Sequence, residues 1–354
     1  MSKRIVICCD GTWKRSDDRY VTNVVKLVRS VLPESPADGK VQVVYYDPGV
    51  GTGIGALNRM LGGLFGVGVA QNIVEAYGFL VDNFTPGDEI FLFGFSRGAF
   101  TVRSVAGVVR HCGILPKRNA DRIKDAHDSY RRRYPSDAER RRAGAEFRRR
   151  YSRDDVEIKC IGVWDTVGAL GIPGRLGFLA RRRVGFHDVQ LSSWVKNAYH
   201  ALAIDERRGT FRPTLWEWKD GKTPPPGLKL EQVWFAGVHS DVGGGYAPPE
   251  AGLANLALDY MAEHATTLGL ALDQEFLRGL VGDASVSAPL HDSRTGLFRY
   301  LAKHVRPLGV GSHASEDVSP TALERFSDPA ADYPAPNLAA YLNRRPSARA
   351  PQTS

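Results

Sequence analysis

The chain has 354 residues, of which 43% are hydrophobic and 24% charged, and its formal net charge is +8. This composition is ordinary for a globular protein with a sizeable core, and the length allows one large α/β domain or two smaller domains. No apolar run reaches the roughly 20 residues that span a bilayer, and the apolar start of the chain is too short for a signal peptide. We therefore expect a cytoplasmic protein, with export by a signal-less route as the alternative.

Short apolar runs rich in β-branched residues alternate with helix-like segments along the chain. Such runs are typical of strands that are buried on both faces of a parallel sheet. The predicted strands are Arg4–Cys9, Val41–Tyr46, Glu89–Phe95, Glu157–Trp164 and Gln232–Val238. The predicted helices are Asn23–Val31, Asn72–Asn83, Ala99–His111, Ala120–Tyr151, Ser192–Ala203 and Ala254–Leu268. This alternation predicts a doubly wound α/β fold with a mostly parallel sheet.

The sequence shows no sign of a second core, so residues 1–326 are predicted to form a single domain with an inserted helical region at 117–153. From residue 327 the sequence turns to Pro, Ala, Asp and Arg. We expect residues 327–354 to form a tail whose last dozen residues are disordered.

The four cysteines show no metal-ligand spacing, and three of them lie in apolar, strand-like runs. A buried free thiol behaves as a small hydrophobic group, which fits a reducing compartment. No metal and no organic cofactor are expected.

The inserted region carries the whole charge imbalance. Residues 117–153 contain 14 Lys and Arg residues and six Asp and Glu residues, so the rest of the chain is formally neutral. One interpretation is a pair of solvated helices, broken near Pro135, that present arginine to water. The other is a surface for anionic lipid, a phosphate-bearing substrate or nucleic acid. Nucleic acid is the least favoured of these three, because no DNA- or RNA-binding motif is visible.

The strongest local motif is Gly94-Phe95-Ser96-Arg97-Gly98, which matches G-x-S-x-G. It follows a predicted strand directly and precedes a predicted helix, as the nucleophile elbow of an α/β-hydrolase does. The serine hydroxyl would then point out of the carboxyl edge of the sheet, where the start of the next helix favours negative charge. The alternative is a tight strand-to-helix turn with an incidental serine.

A serine hydroxyl needs a base, and the base needs an orienting acid, in the chain order Ser, Asp, His for this fold. Asp165 directly follows the predicted strand that ends at Trp164, and His239 follows the strand that ends at Val238. Both positions lie just beyond the carboxyl end of a strand, where open α/β sheets carry their catalytic groups. We therefore predict a triad of Ser96, Asp165 and His239.

Several neighbouring residues compete for these roles or support them. His200, which we place on a helix, is the main rival to the predicted base. Asp205 and Asp241 are the rivals to Asp165, although Asp241 is also suited to bonding the amides of the glycine-rich loop that follows it. Asp10 is grouped with these three residues as a neighbour that supports the site.

The oxyanion hole is predicted from two backbone segments. One donor is the N–H of Arg97, directly after the nucleophile. The other comes from the loop after the first strand, where Gly11 allows close approach and Thr12 offers an extra donor.

Taken together, these motifs resemble a bacterial family of α/β-hydrolase domains long catalogued as a domain of unknown function. That family is related to the phospholipase effectors of type VI secretion. The segments that carry the resemblance are Ile7–Trp13, Thr22–Val24, Tyr46–Thr52, Gly94–Ala99, Val163–Gly168, Ala201–Arg207 and Val238–Tyr246. The resemblance implies ester hydrolysis, with the effectors cleaving phospholipids, and a triad at the same three residues that the strand ends indicate.

We therefore expect a serine hydrolase that cleaves carboxylic esters through an acyl-enzyme. Lipid or phospholipid acyl esters are the first substrate class, because the 53–68 segment is apolar and the Arg-rich insertion offers a contact for anionic head groups at a membrane surface. The alternatives are an esterase or thioesterase that acts on soluble substrates, and a catalytically silent binding module for an anionic ligand.

Overall fold

Seven parallel strands of the computed structural model form one sheet in the order β2-β1-β3-β4-β5-β6-β7. The structure describes residues 2–11, 19–49, 65–167, 191, 193–217, 227–282, 284–300, 303–311 and 315–345. The strands are β1 Arg4–Cys9, β2 Gln42–Asp47, β3 Glu89–Phe95, β4 Ile158–Trp164, β5 Asn197–Ala203, β6 Lys229–Phe235 and β7 Glu316–Val318. The predicted doubly wound α/β fold with a parallel sheet is confirmed. The strand order reverses between β1 and β3, and the crevice at such a switch point is where open α/β sheets bind their ligands.

Helices cover both faces of this sheet. They are α1 Asn23–Ser30, α2 Phe65–Asn83, α3 Arg97–Cys112, α4 Ile123–Arg131, α5 Asp137–Tyr151, α6 His239–Gly243, α7 Gly252–Thr267, α8 Gln274–Val281, α9 Pro320–Ser327 and α10 Pro336–Arg344. Within the described residues, no helix is both long and apolar enough to cross a membrane.

The first strand shows why its sequence is apolar after Arg4. Ile5, Ile7 and Cys9 face the core that contains residues of α2 and α3. Val6 and Cys8 face the opposite core, which contains residues of α1 and α7. Side chains alternate between the two faces of a strand, so a strand covered on both sides has no solvent-facing position for a polar residue.

A third core lies at the β6 and β7 side of the sheet and draws on the last part of the chain. Leu338 and Tyr341 of α10 are buried there with Trp234 of β6 and Val318 of β7. The expected domain boundary at residue 326 falls inside α9, and folded structure continues to residue 345. Of the last dozen residues, 343–354, for which we expect disorder, Asn343 and Arg344 belong to α10, and residues 346–354 lie outside the described part of the chain.

The predicted helix at Ser192–Ala203 is wrong, because residues 197–203 form strand β5. The sequence Asn-Ala-Tyr-His-Ala-Leu-Ala has no β-branched residue, so its composition favours a helix. Its position between β4 and β6 overrides that preference, since six of its seven residues are buried. The strand predicted at Gln232–Val238 begins and ends three residues earlier, at Lys229–Phe235. The three-residue strand β7 is too short to be seen in the sequence pattern.

Candidate active site

The nucleophile elbow adopts the strained geometry that its motif requires. Ser96 lies between β3 and α3 with φ 57° and ψ −115°, a backbone conformation that residues other than glycine rarely adopt. A Cβ atom at Gly98 would lie 1.9 Å from the Cys9 carbonyl oxygen, and one at Gly94 would lie 2.6 Å from the backbone of Gly98. Only glycine at these two positions lets β3, α3 and β1 approach closely enough to hold Ser96 at the tip of the turn.

The three residues predicted as a triad meet at the carboxyl edge of the sheet. The Ser96 Oγ lies 2.9 Å from the His239 Nε2, and the His239 Nδ1 lies 2.5 Å from the Asp165 Oδ2. All three side chains are buried. An ionised Asp165 can only accept, so the Nδ1 carries the proton and the Nε2 is left to accept from the serine hydroxyl.

His239 is fixed by its backbone and by two aromatic rings. It is the first residue of α6, and its N–H donates to the Glu206 Oε2 at 3.3 Å. The rings of Phe95 and Phe211 lie 4.6 and 5.0 Å from the imidazole, centroid to centroid. Burial lowers the pKa of His239, although the hydrogen bond to Asp165 opposes this shift. The imidazole is therefore neutral at neutral pH, as a general base must be.

Asp165 is the most constrained of the three residues. It directly follows β4 with φ 37°, and its Oδ1 accepts the Ala203 N–H at 3.1 Å. The Arg306 guanidinium donates to both carboxylate oxygens, at 2.6 and 3.0 Å. Burial by itself would raise the pKa of Asp165, but the charge of Arg306 and the hydrogen bond from His239 hold it well below its usual range. Asp165 is therefore ionised at neutral pH.

His200, the rival base, lies on β5 and not on a helix, which corrects our prediction. Its Nε2 accepts the Thr166 N–H at 3.1 Å, and its ring packs edge-on against Trp216. Burial lowers the pKa of His200 to about 3, so it stays neutral at physiological pH. It supports the loop that carries Asp165 and makes its hydrogen bond to that loop, not to Ser96.

The rival acids lie nearby but have other partners. Asp205 accepts the Gly237 N–H at 2.7 Å and the Tyr333 hydroxyl at 2.6 Å. Asp241 accepts the Val238 N–H at 2.9 Å and pairs with the Nδ1 of His291 at 2.6 Å. Burial raises the pKa of both carboxyl groups. Each of them ties a loop at the catalytic edge to another part of the chain.

Asp10 organises the loop after β1. Its Oδ2 accepts the Thr22 hydroxyl at 2.5 Å and the Tyr46 hydroxyl at 3.2 Å, and its Oδ1 accepts the Gly11 N–H at 2.7 Å. The amide of Gly11 is therefore engaged by Asp10. What Gly11 contributes is close approach, since a Cβ atom there would lie 3.3 Å from the Cβ of Ser96.

Of the other predicted oxyanion donors, Arg97 is the first residue of α3, so its N–H lies at the positive end of that helix. Thr12 lies outside the described residues. Among the described residues, no group of three or more His, Cys, Asp or Glu side chains could hold a metal ion.

Two features of the site were missed in the sequence. Glu206 is buried beside His239 and pairs with the Arg208 guanidinium at 2.7 Å. The run from Asp205 to Arg208 would have pointed to it, had the segment before it been recognised as a strand. Arg306 carries no such signal, because it lies 141 residues from Asp165 in a segment without a motif.

The Arg-rich insertion is anchored far from Ser96. Arg148 of α5 donates to the carbonyls of Arg110 and His111, in the last turn of α3, whereas Ser96 precedes the first turn. A helix rises 1.5 Å per residue, so about 20 Å separates the two ends. The contact predicted between this insertion and an anionic membrane surface stays a prediction.

Comparison with known proteins identifies a family. A family model described as the catalytic domain of Tle1-like phospholipase effectors of the type VI secretion system matches residues 3–264. This match confirms the resemblance drawn from the sequence motifs. An uncharacterized protein of Saccharomyces cerevisiae, YEL023C, is 34% identical over 229 residues, which cover 59% of this chain and 32% of the yeast protein. The chain thus spans about a third of the length of that relative.

Solved structures of similar proteins match more weakly. An uncharacterized protein from Pseudomonas aeruginosa has a TM-score of 0.44 and 17% identity, over 80% of this chain and 49% of that one. The Tle1 effector bound to the VgrG spike of the type VI secretion system has a TM-score of 0.39 and 20% identity, over 71% and 52%. Esterase 2 of Thermogutta terrifontis, phosphoramylated by tabun, has a TM-score of 0.34 and 13% identity, over 76% and 84%.

Proposed function

The chain belongs to the family of Tle1-like phospholipase effector catalytic domains, and we propose that it is a serine hydrolase that cleaves carboxylic esters of lipids through an acyl-enzyme. The observation that carries this proposal is the hydrogen-bonded series from Ser96 through His239 to Asp165, at 2.9 and 2.5 Å. The nucleophile in this series is held on a strained elbow. The family supports a hydrolase with a lipid ester as substrate, and the geometry supports the assignment of roles.

In the acylation step, the His239 Nε2 takes the proton of the Ser96 hydroxyl as Oγ attacks the ester carbonyl carbon. A bond forms between Oγ and that carbon, and the tetrahedral intermediate collapses with loss of the alcohol. The alcohol oxygen takes the proton back from His239 as it leaves. Asp165 keeps the Nδ1 protonated and stabilises the imidazolium, whose charge would otherwise be buried without compensation.

The carbonyl oxygen becomes an anion in this step and needs donors. The N–H of Arg97 lies at the start of α3, where the helix dipole adds to its attraction for negative charge. Because the amide of Gly11 is engaged by Asp10, the second donor falls to the residues after it, and Thr12 remains the candidate from the sequence. A water molecule, deprotonated by His239, then attacks the acyl carbon. The bond between that carbon and the Ser96 Oγ breaks, the Oγ takes the proton from His239, and the carboxylic acid leaves.

The experiment that tests this proposal is labelling with a fluorophosphonate probe, followed by mass mapping of the adduct. We expect wild type to carry the probe on Ser96, Ser96→Ala to carry none, and His239→Ala to label at least about 100-fold more slowly, because general-base catalysis contributes about 10²- to 10⁴-fold. Ser104→Ala, a buried serine on the same helix, is the matched control and should label like wild type.

Hydrolysis of phospholipids, of short soluble esters and of thioesters is then compared for wild type and Ser96→Ala. Preference for phospholipid supports the lipid substrate, whereas equal or faster turnover of soluble esters would make the protein a general esterase. Folded wild type that takes up no probe and turns over no ester would overturn the hydrolase assignment in favour of a binding module.

A further inference from the structure

Arg306 is a buried arginine whose hydrogen bonds all lead to the catalytic edge of the sheet. Its side chain is 1% exposed. Besides its two bonds to Asp165, it donates to the Ala203 carbonyl at 2.8 Å and to the Phe211 carbonyl at 2.5 Å. Ala203 ends β5, and the ring of Phe211 packs on His239. One guanidinium thus joins the acid of the triad to the two segments that flank the base.

This arginine comes from outside the part of the chain that matches the family, which ends at residue 264. Its backbone is held by α10, because the Asn337 side chain donates to the carbonyls of Arg306 and Ile204, at 3.1 and 3.0 Å. Ile204 directly follows β5. Helix α10 therefore holds the backbone of Arg306 at the end of the strand beside Asp165.

The guanidinium changes what Asp165 can do for His239. In a triad without such an arginine, the carboxylate has the imidazole as its main partner and its full charge favours the imidazolium. Here both carboxylate oxygens also accept from Arg306. The carboxylate is therefore fixed in the plane and direction that the Nδ1 requires, while part of its charge is neutralised.

We propose that Arg306 is a positioning residue of the hydrolytic site, which locks Asp165 against His239 and restrains the basicity of the imidazole. The inference rests on the proposed function for its catalytic consequence, but not for its geometry. A bidentate guanidinium fixes the orientation of a carboxylate more strictly than a point charge does. Arginine therefore orients the Asp165 carboxylate, whereas a lysine would supply only a positive charge.

The charged groups around His239 show how this restraint acts. Asp165 and Glu206 contribute negative charge, and Arg306 and Arg208 contribute positive charge. Asp241 lies two residues along α6 and is paired with His291. Loss of Arg306 would leave two carboxylates and one guanidinium near the imidazole, so the surroundings of His239 would become more negative. His239 would then hold its proton to a higher pH.

The test compares Arg306→Met, which removes the charge and the bonds, with Arg306→Lys, which keeps the charge and loses the bidentate geometry. Arg325→Met is the matched control, because Arg325 is also buried and also donates to two backbone carbonyls, those of Val286 and Ala288. Active sites are counted by fluorophosphonate titration, so that every rate refers to folded, labelled protein. The rates are measured with a small soluble ester between pH 5 and pH 9.

For Arg306→Met we expect kcat per active site to fall about 100-fold, as for other small misplacements of a catalytic group. KM should change little, and the acid limb of the pH profile should move up by about one pH unit. Arg306→Lys should leave the acid limb in place while kcat recovers only in part. Arg325→Met should change neither quantity. A merely structural role would lower the number of active sites and leave kcat and the pH limb of the remaining sites unchanged, and that result would overturn the proposal.

A second readout separates this inference from the proposed function. In the inactive Ser96→Ala background, the protonation of His239 is followed by NMR of ¹³C-labelled imidazole. A rise in its titration midpoint on adding Arg306→Met supports the inference even if no ester is turned over. An unchanged midpoint on adding Arg306→Met would contradict it, whatever the enzyme assays show. If Arg306→Met does not fold, Arg306→Lys is used instead. A kcat per active site below that of wild type, with the acid limb unchanged, supports the inference, and a kcat equal to that of wild type contradicts it.

Discussion

Ser96 should destabilise the fold that carries it, and a single atom accounts for the effect. With φ 57° and ψ −115°, the residue lies in a region that glycine enters freely and that a Cβ atom makes unfavourable. The prediction is that Ser96→Gly is more stable than Ser96→Ala, although both lack the hydroxyl and both are inactive. The comparison between these two variants isolates the Cβ atom, since each has lost the same hydrogen bond to His239.

The size of the difference follows from two opposing terms. Strain at such a backbone position is about 1–3 kcal/mol, and glycine in place of alanine costs about 0.4–1 kcal/mol through the unfolded chain. The glycine variant should therefore be more stable by about 1 kcal/mol. With an unfolding entropy of about 2.1 cal/mol/K per residue over 354 residues, this is a rise in Tm of about 1.4 °C.

The midpoint of urea unfolding, followed by circular dichroism, measures this difference together with Tm. The matched control is Ser104, which is buried in the middle of the same helix. There Ser104→Gly should be less stable than Ser104→Ala by about 1 kcal/mol, because glycine is unfavourable inside a helix. The two positions should thus respond with opposite signs. If Ser96→Gly proves less stable than Ser96→Ala, the elbow is not strained and the reasoning fails.

Three further changes test other parts of the structure. Gly98→Ala should lose about 3 kcal/mol or more of unfolding free energy, because its Cβ atom would lie 1.9 Å from the Cys9 carbonyl oxygen. A urea midpoint equal to that of wild type would contradict the close approach of the two segments. The pKa of His200 is about 3 in the fold and about 6.5 in the unfolded chain, so the unfolding free energy of wild type should fall as the pH is lowered from 6.5 toward 3. Urea unfolding of His200→Gln at pH 7 and at pH 4 should show a smaller loss of unfolding free energy between the two pH values. Leu338→Ala, at a fully buried position of α10, should cost about 2–5 kcal/mol, and a cost near zero by the same measurement would show that α10 is not part of the core.

The sequence pattern predicted the strands whose two faces both carry buried apolar side chains. The bounds of β1 and β3 are confirmed without change, because each begins with one charged residue, Arg4 or Glu89, is apolar from there on, and ends before a turn that contains glycine. Strand β5 was missed because what makes it a strand is its two neighbours in the sheet, and no property of its seven residues reports on them.

The same contrast holds at the candidate site. Ser96 and Asp165 directly follow β3 and β4, and His239 follows the end of β6 after three residues. Local pattern and the geometry of parallel sheets therefore suffice to predict that the three residues lie at the same edge of the sheet. Arg306 has neither a strand before it nor a motif around it. Its importance comes from packing between segments 141 residues apart in the chain, and a single sequence holds no local signal for such a contact.

Residues after 264, where the family match ends, supply hydrogen-bond partners to buried acids at the catalytic edge. Four of the buried acids at this edge take a partner from the last part of the chain: Asp165 from Arg306, Asp205 from Tyr333, Glu206 from Ser293 and Asp241 from His291. A buried carboxylate that loses its partner costs several kcal/mol, which is comparable to the whole stability of a typical domain. Residues 3–264 therefore supply the three predicted catalytic groups, but the charge that holds Asp165 ionised comes in large part from Arg306, outside that range.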